Sequence, residues 1–196
     1  MYSPPLLLNR SYRFWALIAA LDMILFTVVI MPWGAARLIE LSGGIASGGV
    51  GPYDVLLSYS PELFYQMASA YGDAGRSFYI VFQLLADTAY PLTYGLFGYF
   101  LMTWLCYEAW PHRRWYRFVF VFPLATVILD FLENGLIVAL LWQYPTQQPA
   151  WVHVASATTT LKWVSVMIGS LVLVVLAGAA LRRFLVERGF RVDSGG

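Results

Sequence analysis

The sequence predicts an all-helical, polytopic membrane protein: a four-helix transmembrane bundle with a long outer loop that carries a short interfacial helix. Three observations predict it. Of 196 residues, 60% are hydrophobic and only 12% are charged, about half the charge of a soluble domain. Mean hydropathy is +0.65. Four apolar stretches reach the roughly 20 residues that a helix needs to cross a hydrocarbon core. Such a composition excludes a soluble globular domain and a disordered chain. A net charge of +1 leaves no field to steer a nucleic acid. The apolar runs are too long and unbroken for barrel strands. The single cysteine, Cys106, excludes an internal disulfide and a cysteine zinc site, and two histidines, His112 and His153, are too few for a histidine-rich metal site.

The chain reads as one membrane domain, residues 1–196. The first span covers residues 14–32, closed by Pro32 and Trp33, and Asp22 in its middle marks it as a retained helix rather than a signal peptide. An outer loop, residues 33–76, follows. Its segment from Ser42 to Pro52, SGGIASGGVGP, lacks the Lys-Ser/Thr ending of a phosphate loop and reads as linker. Ser60 is placed to cap a helix that Pro61 starts and Gly72 ends. Phe64, Met67, Ala68 and Tyr71 share one face of it, for a membrane interface or for ordinary packing. The second span covers residues 78–107, with a kink expected at Pro91. Residues 108–114 connect it to the third, residues 115–142, and Pro111 is suited to a helix start. The polar turn QYPTQQPA, residues 143–150, makes a hairpin with the fourth span, residues 151–181. Residues 182–196 form a tail.

Arginines orient the bundle. Four spans put Arg10, Arg13, Arg113, Arg114, Arg117, Arg182, Arg183, Arg188 and Arg191 on one side and leave Arg37 and Arg76 on the other. The positive-inside rule then places both termini in the cytoplasm of a cell-membrane protein. Glu108 is within reach of Arg113 or Arg114 as a surface pair.

Asp22, Asp87, Asp130, Glu133 and Lys162, the chain's one lysine, all fall inside spans. Each costs at least about 2.5 kcal/mol to insert, so such residues face a bundle interior or a wet cavity. Counted from outer-side markers (Trp33, Arg76, Trp142, Trp151), all five lie roughly 14–18 Å deep, at 1.5 Å per residue. Asp130, Glu133 and Asn134 share a face of the third span. Gln83, Asp87, Tyr90 and Tyr94 share a face of the second, and Thr158, Lys162, Ser165 and Gly169 a face of the fourth. Four carboxylates against one ammonium require either protonated carboxyls or a bound cation.

That constellation predicts a pocket for a lipid or other hydrophobic small molecule, with no nucleic-acid partner. The leading expectation is a small membrane enzyme acting on a lipid or isoprenoid-like substrate by proton transfer or cation stabilisation. Asp130 and Glu133 are its acid and base, Asn134 orients one of them, and an Asp87–Lys162 ion pair tunes both. Asp22, Gln83, Tyr90 and Tyr94 line the ligand. The alternatives are a lipid- or small-molecule-binding protein without turnover and a structural subunit of a membrane complex. Asp87, Asp130 and Glu133 carry no Asp-rich diphosphate motif, so neither a metal nor a cofactor is expected. His153 is read as interfacial.

Overall fold

The structure, a computed structural model, describes residues 10–44 and 51–187. Residues 45–50 of the glycine-rich linker and Arg188 and Arg191 of the tail lie outside the described residues. Among the described residues every regular element is helical.

Helix α1 (Arg10–Leu25) runs through a π-helical segment, Phe26–Ile30, into α2 (Met31–Leu41). The first apolar rod therefore ends at Leu41, not at Pro32. A proline offers no N–H to the turn before it and crowds that turn with its ring. Here Pro32 stands in the first turn of α2, directly after the widened π turn, which absorbs the defect and lets the rod continue.

Helix α3 (Pro61–Ala70) starts as its residues dictate: the Ser60 side chain accepts a hydrogen bond from the Leu63 N–H, and Pro61 occupies the first turn. Gly72, at φ +61°, breaks it from α4 (Gly72–Ala109). A short 3₁₀ turn, Arg114–Arg117, precedes α5 (Val121–Trp142). The third rod thus begins at Val121 rather than at 115. Pro111 sits in a turn and starts no α-helix, whereas Pro123 fills the first turn of α5, where its missing N–H costs nothing. Helix α6 (Pro149–Glu187) returns beside α5.

Among the described residues three helical stretches are long and apolar enough to cross a membrane: Tyr12–Leu41, Val121–Trp142 and Pro149–Glu187. Helix α4, 38 residues long, stands apart because Asp73, Arg76, Gln83, Asp87 and its tyrosines and threonines dilute it. It is also the central element. It packs on α5 and α6, which pack on each other, while α1 and α2 lie along α4. Gly95 permits a close α4–α5 approach, since a Cβ there would stand 2.5 Å from Val127 Cγ2.

The segment from Gly51 to Tyr71 caps the end of the bundle where α5 turns into α6. Tyr53, Phe64, Met67, Ala68 and Tyr71 are buried there with Ile137, Leu140 and Val152. The apolar face of α3 is thus spent inside the protein rather than left for an interface. Polar ties hold the cap. The Trp163 indole N–H donates to the Leu56 carbonyl at 3.0 Å, and the Tyr59 N–H to Ser156 Oγ at 2.9 Å. Arg76 donates to the Ala68 carbonyl at 2.7 Å, pairs with Asp73 and lies 4.2 Å from the Tyr144 ring centroid. At the opposite end, Met102, Cys106, Val119 and Leu176 form a second apolar cluster. Glu108 is met there through its backbone carbonyl, by Arg183 at 2.7 Å, rather than through its carboxylate by Arg113.

Candidate functional site: an acidic cavity among the helices

The α5–α6 hairpin sets the register of the ionisable layer. Lys162 on α6 forms an ion pair with Glu133 and lies 3.6 Å from Asp130 Oδ1, both on α5. Glu133 is fully buried, and its Oε1 accepts a 2.6 Å hydrogen bond from Thr159. Both of its oxygens are therefore occupied. Asp130 uses Oδ2 to accept from the Tyr94 hydroxyl at 2.8 Å. Its Oδ1 accepts no hydrogen bond among the described residues.

This replaces the expected Asp87–Lys162 pair. Lysine reaches across the tight hairpin to the i, i+3 face of α5, where two carboxylates meet it, while Asp87 stands on α4. Asp87 is 3% exposed, and its carboxyl makes no hydrogen bond or ion pair among the described residues.

Asn134 has a different role from the expected one. Its Nδ2 donates to the Asp87 backbone carbonyl at 2.7 Å. That carbonyl is four residues before Pro91, which has no N–H to give it. Asn134 supplies the missing donor from the neighbouring helix, so it locks α4 to α5 rather than orienting Asp130 or Glu133.

A cavity of about 480 Å³ opens beside these groups. At its capped end it is lined by Asp54, Asp87, Asp130, Lys162, Tyr90 and Trp163, and farther along by Phe97, Leu101, Met102, Phe122 and Leu173. Tyr94 lines it between the two. Met23 and Met31 of the first rod close one side. The π segment is what brings that rod to the site: Phe26 stacks on Tyr90 at 5.8 Å, and Thr27 Oγ1 is 3.2 Å from the Tyr90 hydroxyl.

Of the nine expected site residues, Asp87, Asp130, Lys162, Tyr90 and Tyr94 thus line one cavity. Four do not. Glu133 lies behind the lining as the lysine's counter-ion, and Asn134 is the helix lock. Gln83 is fully buried and donates to the Tyr79 hydroxyl at 2.9 Å, away from the cavity wall. Asp22 is half-buried, forms no ion pair among the described residues and does not line the cavity, which its neighbour Met23 lines instead. The first rod shows only one side to α4, and residue 22 is about 100° round from that side at 3.6 residues per turn. His153 is exposed on the first turns of α6.

Asp54 enters the site unannounced. It sits in a short 3₁₀ turn, Tyr53–Val55, and accepts a 2.7 Å hydrogen bond from the Tyr79 hydroxyl, which in turn accepts from the Tyr53 N–H at 3.0 Å. No periodicity marks a carboxylate in an irregular segment. Thr159 and Trp163 were likewise unmarked, although both neighbour the polar stripe through Lys162.

Among the described residues no three His, Cys, Asp or Glu side chains converge as a metal ion would require. The arrangement is instead a hydrophobic slot with a polar, acid-rich head. Comparison with protein-family models, curated proteins and solved structures finds no match for the chain.

Proposed function

We propose that this is a cell-membrane protein that holds a hydrophobic molecule in the cavity, with the molecule's polar head among Asp87, Asp130 and Lys162 and its apolar body toward Leu173. The supporting observation is the Asp87 carboxyl, buried, without a partner among the described residues and lining an apolar-walled space of about 480 Å³. That volume is within the usual range for small-molecule sites, about 300–1,000 Å³. A carboxyl so placed is suited to proton transfer with the bound molecule or to stabilising positive charge on it. Asp130, held by Tyr94 and beside Lys162, is its companion in that chemistry. A lipid or isoprenoid-like substrate fits these walls. Helix α4 crosses the membrane with the other three rods, since a helix enclosed by α1, α5 and α6 need not be apolar all round. Both termini are cytoplasmic, and the cap faces outward.

Native mass spectrometry of protein extracted from its membrane tests the pocket. The wild type should carry one retained lipid-like mass, and Val166→Trp, which fills the slot, should lose it. A wild type that flies only as bare polypeptide contradicts the reading. A thiol at Gln147 on a Cys106→Ala background should label from outside the cell. Labelling only from the cytoplasm would reverse the orientation.

A further inference from the structure

This inference rests on the pocket reading and names its occupant. We propose that the cavity takes a single-chain amphiphile with an amine head, the ammonium among Asp54, Asp87 and Asp130 and the chain lying along Gly98 and Gly169.

The head follows from the charges. The cavity wall carries three carboxylates and one lysine, and that lysine is already matched by Glu133 and Asp130. An anionic head would meet unpaired negative charge. An ammonium brings N–H donors to the Asp87 carboxyl, which makes no hydrogen bond or ion pair among the described residues, and to Asp130 Oδ1, which accepts no hydrogen bond there although Lys162 Nζ lies 3.6 Å away. Asp54 spends only one oxygen on Tyr79. The side chains of Tyr90 and Trp163 line the same end of the cavity. The carboxylates do not converge as metal ligands among the described residues, which favours an organic cation over a metal ion.

The single chain follows from the shape. On α4 the lining runs from Asp87 to Leu101, a rise of about 21 Å at 1.5 Å per residue. On α6 it runs from Lys162 to Leu173, about 16 Å by the same rise. Beyond Tyr94 the described lining residues include no ionisable group. A volume of about 480 Å³ over roughly 18 Å of helix rise gives a mean cross-section of about 27 Å², enough for one extended hydrocarbon chain. Gly169 keeps the slot open at mid-length. A Cβ there would only touch Met102 Cε at 3.8 Å, so a larger side chain grows into the cavity without moving backbone.

The test is native mass spectrometry of nanodisc-embedded protein offered hexadecylamine, octylamine, hexadecanol and hexadecanoate. Hexadecylamine should be retained at least roughly tenfold better than the alcohol or the acid, the worth of a charge-assisted hydrogen bond. Asp87→Asn should abolish that preference. Gly169→Leu should shift retention from hexadecylamine toward octylamine. Equal retention of amine and alcohol, with Asp87→Asn silent, overturns the amine head while leaving the pocket in place. Unchanged hexadecylamine retention in Gly169→Leu overturns the chain path. Failure of the wild type to retain any of the four removes the pocket reading itself, and this proposal with it.

Discussion

Replacing Lys162 by Met removes the one positive charge from a layer of four carboxylates. Lys162 is 6% exposed and its partner Glu133 is fully buried, and among the described residues no other cation pairs with Glu133. Breaking a buried pair from one side costs about 3–5 kcal/mol, because the orphan charge stays behind. For a chain of this size each kcal/mol moves the midpoint by about 2–4 °C, so the melting temperature should fall by about 6–20 °C. Adding Glu133→Gln removes the orphan. The amide keeps an oxygen for Thr159, and the double variant should recover more than half of the loss. Adding Asp87→Asn to Lys162→Met should instead give an additive result, since Asp87 is not the lysine's partner. Thermal unfolding of the six proteins in one detergent reads all of this. Strong coupling of Lys162 to Asp87, with Glu133 additive, would refute the assigned pairing.

Asn134→Leu orphans the Asp87 carbonyl and should cost about 1–3 kcal/mol. Pro91→Ala restores an N–H four residues on and should suppress most of that loss, measured as a shift in melting temperature. Gly95→Ala drives a Cβ into Val127 and should destabilise by about 1–3 kcal/mol, with rescue by Val127→Ala in the same unfolding assay. In the cap, burial pushes the Tyr59 phenol up to about 12 and raises Tyr53 and Tyr71 as well. Their folded values exceed the unfolded one near 10, so the stability they lend is complete below about pH 10 and is lost as pH rises through about 12 and beyond. Alkaline titration of tyrosinate absorbance should therefore show late-ionising tyrosines that appear together with loss of the cap, and Tyr59→Phe should move that transition.

What was legible in the sequence was whatever a helix repeats. The turn QYPTQQPA announced the α5–α6 hairpin, and equal distances from aromatic and arginine markers placed Asp87, Asp130, Glu133 and Lys162 at one depth. Depth carries no azimuth, however, and Asp22 shared the depth without sharing the cavity. Partner choice was equally hidden, because Lys162 could be matched only to a layer, not to Glu133 over Asp87. The Asn134 lock was written in the sequence, in the four-residue step from Asp87 to Pro91, but its donor comes from another helix. Pro32 read as a stop because a sequence does not show the π turn that absorbs it. Asp54 lies on an irregular segment held by Tyr79 and preceded by glycines, where neither spacing nor depth is defined.

The central claim, a molecule held inside the helices and not merely around them, is tested most directly by photo-crosslinking. A long-chain alkylamine carrying a terminal diazirine would be added to membranes, illuminated, and its attachment points mapped by mass spectrometry. Labels are expected on Met102, Val166 and Leu173, which line the cavity, and should be lost on competition with unlabelled amine. Labels confined to outward residues such as Leu171 and Val174, insensitive to competitor, would contradict the claim.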